Sequence, residues 1–178
     1  MERILLLVKK FIPPEIFRAL QPGYHFLLAF IAALVYFFPS RKLKVIGVTG
    51  TDGKSSVVEL LHEILRGAGA KVASASSLRF KLNEKEEPNM LKMTMPGRFF
   101  MQSFLKQAAK SGAEYVVLEV TSEGIKQFRH KFIKFDAAVL TNVTPEHIEA
   151  HGSFEKYRKA KAKLFSSLGK NCVAILNR

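Results

Sequence analysis

The chain alternates short, unbroken apolar runs with longer stretches in which apolar residues recur every three or four positions. Val45, Ile46 and Val48 form a run too short for a helix, and it breaks at once into Gly50-Thr-Asp-Gly-Lys-Ser-Ser56. Val57, Leu60, Leu61, Ile64, Leu65 and Ala68 then keep helical spacing until Gly67 and Gly69 stop it. The pattern predicts a second strand over 71–75, a helix over 98–110, strands over 115–120 and 137–141, a helix over 154–168 and a strand over 173–176. Residues 76–95 are read as a hairpin or loop: 79–82 alternate, and 83–89 are charged and turn-like. Continuous apolar strands separated by helices imply an α/β fold, with a mostly parallel sheet covered by helices on both faces.

Residues 1–42 differ from the rest, so the chain divides into a hydrophobic, basic helical segment (1–42) and a domain (43–178). Tyr24 to Phe38 is nearly all apolar, with Arg3, Lys9, Lys10 and Arg18 before it and Arg41, Lys42 and Lys44 after it. Fifteen helical residues rise only ~22 Å against a hydrocarbon core of ~30 Å. Two readings stand: a helix lying on the inner face of the membrane, or one packed on the domain or a partner. The segment lacks the compact apolar region and small-residue cleavage site of a secretory signal.

With 178 residues, 48% of them hydrophobic, and 15 Phe, the chain can bury one sizeable core plus an appendage. Its single cysteine, Cys172, excludes an internal disulfide, lies beside an apolar run, and reads as a small core residue in a reducing, cytoplasmic setting. The formal charge of +13 favours anionic partners. Nucleic acid is not expected among them, because no basic motif interleaved with aromatics is present.

In parallel sheets ligands bind beyond the carboxyl ends of the strands, and here those positions are loaded. The glycines after the first strand allow a tight loop that turns backbone N–H groups toward one point, where the positive end of the next helix suits a phosphate. Lys54 would bring charge to the outer phosphates of a nucleotide, and Ser55 would reach an accompanying Mg²⁺. The general phosphate-loop pattern fails at Val48, where it needs a glycine. After the next two strands come Glu119-Val-Thr-Ser-Glu-Gly124 and Thr141-Asn142, with Glu146, His147 and His151 beyond. Singly, Glu119 reads as a capping or paired carboxylate and the histidines as surface groups; together with Ser55 they suggest a metal site. Lys161 falls in the middle of an apolar stripe of Phe154, Tyr157, Leu164, Phe165 and Leu168. Spacing alone favours an amine snorkelling to a rim over one retained with a lowered pKa.

The loop 50–56, Leu118 to Gly124, Thr141 to Gly152 and Tyr157 to Phe165 together resemble the central ATP-binding domain of the Mur ligases, nearest the branch that adds the third residue of the peptidoglycan stem peptide. The resemblance covers 44–178 and implies an ATP-dependent amide ligase acting through an acyl phosphate. Its substrates would be a UDP-N-acetylmuramoyl-peptide and an amino acid, its cofactors ATP and Mg²⁺. By that resemblance Gly50, Thr51, Asp52, Gly53, Lys54, Ser55, Ser56 and Asn142 hold the nucleotide, and Lys54, Glu119, His147 and Lys161 carry the chemistry. Ser55, Glu119, His147 and a carbamylated Lys161 serve metals, while Thr94, Pro96, Ser122 and Arg129 contact the UDP-sugar substrate. Alternatives are a nucleotide-binding module without turnover of its own and a ligase of the folate-polyglutamate type.

The departures bear on the substrate. Asp52 replaces the family's Asn, Thr121 a Ser and Glu123 a His, and Met95-Pro96-Gly97 departs from the usual segment before the substrate helix. The resemblance also implies an N-terminal uridine-gripping domain, in whose place the short hydrophobic segment stands, and a C-terminal domain. The expectation is therefore a central domain that is incomplete at its C-terminal end.

Overall fold

A computed structural model describes residues 14–91, 93–145 and 152–177. Helix α1 (Pro14–Val35) leads through a 3-10 turn (Pro39–Lys42) into β1 (Lys44–Thr49) and α2 (Lys54–Gly67). There follow β2 (Val72–Ala75), β3 (Arg79–Leu82), β4 (Lys85–Pro88), α3 (Arg98–Lys110) and β5 (Tyr115–Glu119). The short α4 (Ser122–Lys126), β6 (Ala137–Leu140), α5 (Phe154–Ser166) and β7 (Val173–Leu176) complete the order.

The seven strands form one sheet in the order β4-β3-β2-β5-β1-β6-β7. Every pairing is parallel except β2 with β3 and β3 with β4. Alternation along the central strands sends side chains to two cores. Val45, Val116 and Leu118 join Met101, Phe104, Leu105 and Leu164 on one face. Val48, Val117 and Val72 meet Val58 of α2 on the other. Helices on both faces therefore follow from strands that are apolar throughout.

The edges depart from the sequence expectations. β3 and β4 pair antiparallel as the hairpin of the hairpin-or-loop reading, but β4 is fully exposed and carries Lys85, Glu86 and Glu87 through the part read as charged and turn-like. Such an edge strand has no apolar period to betray it, and its charges blunt the sheet edge. At the other edge β7 is a strand as expected, but its apolar side chains are exposed, and Cys172 is half-buried with its thiol donating to the Phe135 carbonyl at 3.3 Å.

α1 is longer than the apolar run predicts, passing through Pro22 and Gly23. Ala29, Ala32 and Ala33 are buried, while Phe26 and Phe30 pack edge-on against Phe128 and Phe132. One side of the helix is thus docked on the domain. No helix among the described residues is long and apolar enough to cross a membrane.

Candidate functional site

Because β5 and β6 flank β1, with Val48 opposite Glu119 and Thr49 opposite Leu140, the segments after these strands emerge side by side. A cleft of about 640 Å³ opens at this carboxyl edge, lined by the whole 50–56 loop and by Glu119, Thr94, Ser122, Arg129 and Lys161.

The loop is pinned from behind. A Cβ on Gly50 would lie 1.8 Å from the Thr141 hydroxyl, so only glycine allows that approach. Gly53, with φ 73°, turns the chain into α2. The Asn142 side-chain carbonyl accepts from the N–H groups of Thr51 and Asp52 at 3.1 and 2.9 Å, and Thr141 donates to the Asp52 carbonyl at 2.6 Å. Tyr157 donates to the Thr51 hydroxyl at 3.1 Å. With those amides engaged, an anion in the cleft meets the first turn of α2, whose N–H groups have no partner within the helix. Lys54 folds back onto the Thr51 carbonyl at 2.5 Å.

Glu119 is 3% exposed. One of its oxygens accepts from the Ser55 hydroxyl and from the Ser77 N–H, both at 2.8 Å. Among the described residues no basic side chain pairs with it. A buried carboxylate beside a hydroxyl at the mouth of a phosphate loop is an all-oxygen donor set, which fits Mg²⁺ better than a softer metal. The described residues contain no cluster of three His, Cys, Asp or Glu, so such an ion would complete its shell from phosphates and water. His147, with Glu146 and His151, lies outside the described residues.

Lys161 does not snorkel. It is 2% exposed, its ammonium donates to the Gly50 carbonyl at 2.5 Å and lies 4.3 Å from the Tyr157 ring centroid. Burial and the nearby Lys54 push its pKa down to about 8, with Asp52 opposing.

Thr94, Ser122 and Arg129 lie on the cleft wall, whereas Pro96 is buried outside it. Arg129 holds the Met95 carbonyl and, at 2.7 Å, the Gln127 side chain; burial lowers its pKa, against Glu123. Sequence reasoning missed Ser77, whose hydroxyl is 2.7 Å from that of Ser55 and whose N–H holds Glu119. It stands just past β2, at the one inner strand end whose following residues were not weighed.

The Mur ligase middle domain matches residues 48–178. The chain is 43% identical over 143 residues to a UDP-N-acetylmuramyl-tripeptide synthetase of Treponema denticola, covering 79% of this chain and 27% of that protein. It is 38% identical over 151 residues to a UDP-N-acetylmuramoyl-L-alanyl-D-glutamate–L-lysine ligase of Staphylococcus haemolyticus, covering 83% and 30%. A solved UDP-N-acetylmuramoyl-L-alanyl-D-glutamate–2,6-diaminopimelate ligase superposes with a TM-score of 0.64 at 32% identity, covering 76% of this chain and 26% of that one. The chain thus spans under a third of the length of these relatives. Matched over most of its length, and carrying the loop and carboxylate at converging strand ends with the buried lysine of α5 beside them, the chain belongs to the Mur ligase family.

Proposed function

We propose that this chain supplies the phosphate-binding half of a cytoplasmic, ATP-dependent carboxylate–amine ligase of peptidoglycan precursor synthesis. The observation that carries the reading is the Ser55–Glu119 contact of 2.8 Å, set at the mouth of the glycine loop and beside a cleft able to hold a second substrate. In the reaction, a carboxylate of a UDP-N-acetylmuramoyl-peptide attacks the γ-phosphorus of ATP; ADP leaves and an acyl phosphate remains. An amino acid amine then displaces phosphate, forming the amide and releasing one proton.

Bringing a carboxylate to a triphosphate sets two anions against each other, so the chain must offset charge and hold the reactants in line. The first turn of α2 receives the phosphates through backbone N–H groups. Lys54 needs only to leave the Thr51 carbonyl to reach the outer phosphates. Ser55 and Glu119 would hold Mg²⁺, which when bound would neutralise phosphate charge. Arg129, Thr94 and Ser122 face the same cleft and orient the acceptor substrate. Lys161, with its pKa lowered to about 8, has access near neutral pH to the free amine that reacts with CO₂; the carbamate would turn a cation into an oxygen ligand beside the loop. The relatives differ in the amino acid their names assign, L-lysine in one and 2,6-diaminopimelate in another.

Calorimetric titration with a nonhydrolysable ATP analogue tests the reading. Binding that strengthens with Mg²⁺ and disappears in Lys54→Ala is expected; unchanged affinity in Lys54→Ala removes the phosphate-loop assignment.

A further inference from the structure

Among the described residues, nothing covers the side of α1 turned away from the domain. Leu20, Tyr24, Leu27, Ile31, Leu34 and Val35 all lie exposed at helical spacing, and no Asp, Glu, Lys or Arg occurs between Arg18 and Arg41. From Leu20 to Val35 this stripe is about 24 Å long. A continuous apolar ridge of this kind is an interaction site rather than the scatter of single apolar residues that any surface shows.

What covers it is indicated by charge at both ends. Near the start of α1, a cavity of about 580 Å³ is bounded by Pro22, Phe128, Lys126, Lys156, Lys159 and Lys163. Among the described residues no acidic side chain lines that cavity; Glu155, on the same helix as three of these lysines, reaches Lys159 at 3.8 Å. At the other end Tyr36 and Phe37 border a second cavity with Lys42, Lys106 and Lys110, and the Lys106 ammonium lies 5.1 Å from the Phe37 ring centroid. An apolar helix bracketed by two basic clusters is the pattern of an element lying in the plane of an anionic bilayer surface. Its apolar side enters the headgroup–acyl boundary while lysines meet the headgroups. A protein partner needs no basic cluster at both ends of the ridge, whereas a surface of acidic headgroups does.

We propose that the exposed side of α1, flanked by Lys156, Lys159 and Lys163 at one end and Lys42, Lys106 and Lys110 at the other, docks this chain on an anionic phospholipid membrane without spanning it. The docked helix is joined to the cleft: His25 of α1 contacts Arg98, which donates to the Gln127 carbonyl at 2.6 Å, and Gln127 in turn holds Arg129. Membrane contact therefore orients the substrate side of the cleft relative to the surface.

Co-sedimentation of the whole 178-residue chain with phosphatidylcholine vesicles, and with vesicles containing phosphatidylglycerol, tests this. Binding to the anionic vesicles alone, weakening as salt rises, is expected. The double variant Ile31→Glu/Leu34→Glu should reduce it to background. The triple variant Lys156→Glu/Lys159→Glu/Lys163→Glu should weaken it roughly a hundredfold, at about fivefold per lysine. These positions are all outside the nucleotide cleft, and retained binding of the ATP analogue reports that each variant is folded. Equal binding to both vesicle types overturns the electrostatic half of the proposal and with it the choice of an anionic surface. Failure to bind either overturns it altogether; if the chain is then a dimer that Ile31→Glu/Leu34→Glu dissociates, the ridge is covered by a second copy. The calorimetric experiment on Lys54 reads independently of every one of these outcomes.

Discussion

The Lys161 ammonium is 2.5 Å from the carbonyl oxygen of Gly50, so a buried charge on α5 holds the first residue of the glycine loop. Among the described residues that carbonyl accepts its hydrogen bond and the Tyr157 ring lies beside it, and its depressed pKa records an unfavourable site for the proton. The unfolded chain keeps this proton to about its ordinary value of 10.5, and the folded chain only to about 8. Below pH 8 the charged amine therefore costs stability, and between the two values the unfolded state binds more protons, so stability rises with pH. Lys161→Met should remove that cost while leaving the Gly50 carbonyl without its donor, a net gain of about 1–2 kcal/mol near pH 7. Chemical denaturation should show a higher midpoint with unchanged slope. In ¹³C-bicarbonate, NMR should show a carbamate carbon in the parent that grows as pH approaches 8 and is absent from Lys161→Met; no carbamate in the parent removes the ligand role.

The Asn142 side chain clamps the loop through contacts with Thr51 and Asp52. Its side-chain oxygen accepts from both the Thr51 and Asp52 amides, and Thr51 also donates to the Asn142 backbone carbonyl at 3.0 Å, so Asn142→Ala leaves the Asp52 N–H without this partner. The expected cost is about 1–3 kcal/mol of stability, with affinity for the ATP analogue falling about tenfold as the loop loosens. Asn142→Asp keeps the acceptor and should keep most of the stability, yet still weaken binding because it adds a negative charge near the phosphates. Equal stability of Asn142→Ala and the parent in denaturation would show that the clamp carries no energy.

Much of the site was legible because its chemistry is local. Gly50 and Gly53 announce a turn that other residues cannot make, and β1, β5 and β6 are apolar enough to point to the residues just beyond them. Position alone puts Glu119 at a strand end and Lys161 in an apolar stripe, although spacing favours a snorkelling amine over the buried one that the structure has. What stayed hidden depends on neighbours remote in sequence. Ser77 matters only because β2 runs beside β5, which brings its N–H to Glu119. β4 has no apolar period, since it pairs on one side only and faces solvent. α1 passes through Pro22 and Gly23, whose breaking tendencies are local, while Phe26 and Phe30 are docked on Phe128 and Phe132 from a hundred residues away.

His130 makes folding sensitive to acid. It is 3% exposed, its Nδ1 has no partner among the described residues, and burial together with Lys131 and Lys163 pushes its pKa down to about 4. The unfolded histidine titrates near its ordinary 6.5, so between 6.5 and 4 the unfolded state binds more protons. Stability is then full above about 6.5 and is lost as pH falls through that window, by up to about 3 kcal/mol. His130→Gln should flatten that limb of the stability–pH curve, measured by urea denaturation from pH 7 to 4. An unchanged limb would assign acid sensitivity to other groups.

Glu119 is both a structural and an electrostatic partner of Ser55, and the two roles separate in Glu119→Gln. The amide oxygen of Gln can still accept from the Ser55 hydroxyl and the Ser77 N–H, so the fold at the end of β5 should persist. What disappears is the negative charge. Without metal, a buried carboxylate near the loop repels a triphosphate, so Glu119→Gln should bind the ATP analogue a few-fold more tightly than the parent when Mg²⁺ is chelated. With Mg²⁺, the parent gains a cation held between carboxylate and phosphates, and the variant does not; the Mg²⁺-dependent increment should fall by at least about tenfold. Ser55→Ala should lower the same increment less, because it removes a neutral ligand, and should not tighten metal-free binding. This opposite response to chelation distinguishes a metal carboxylate from a merely structural one: a Glu119 that only holds Ser55 and Ser77 in place would leave the Mg²⁺ increment unchanged in Glu119→Gln.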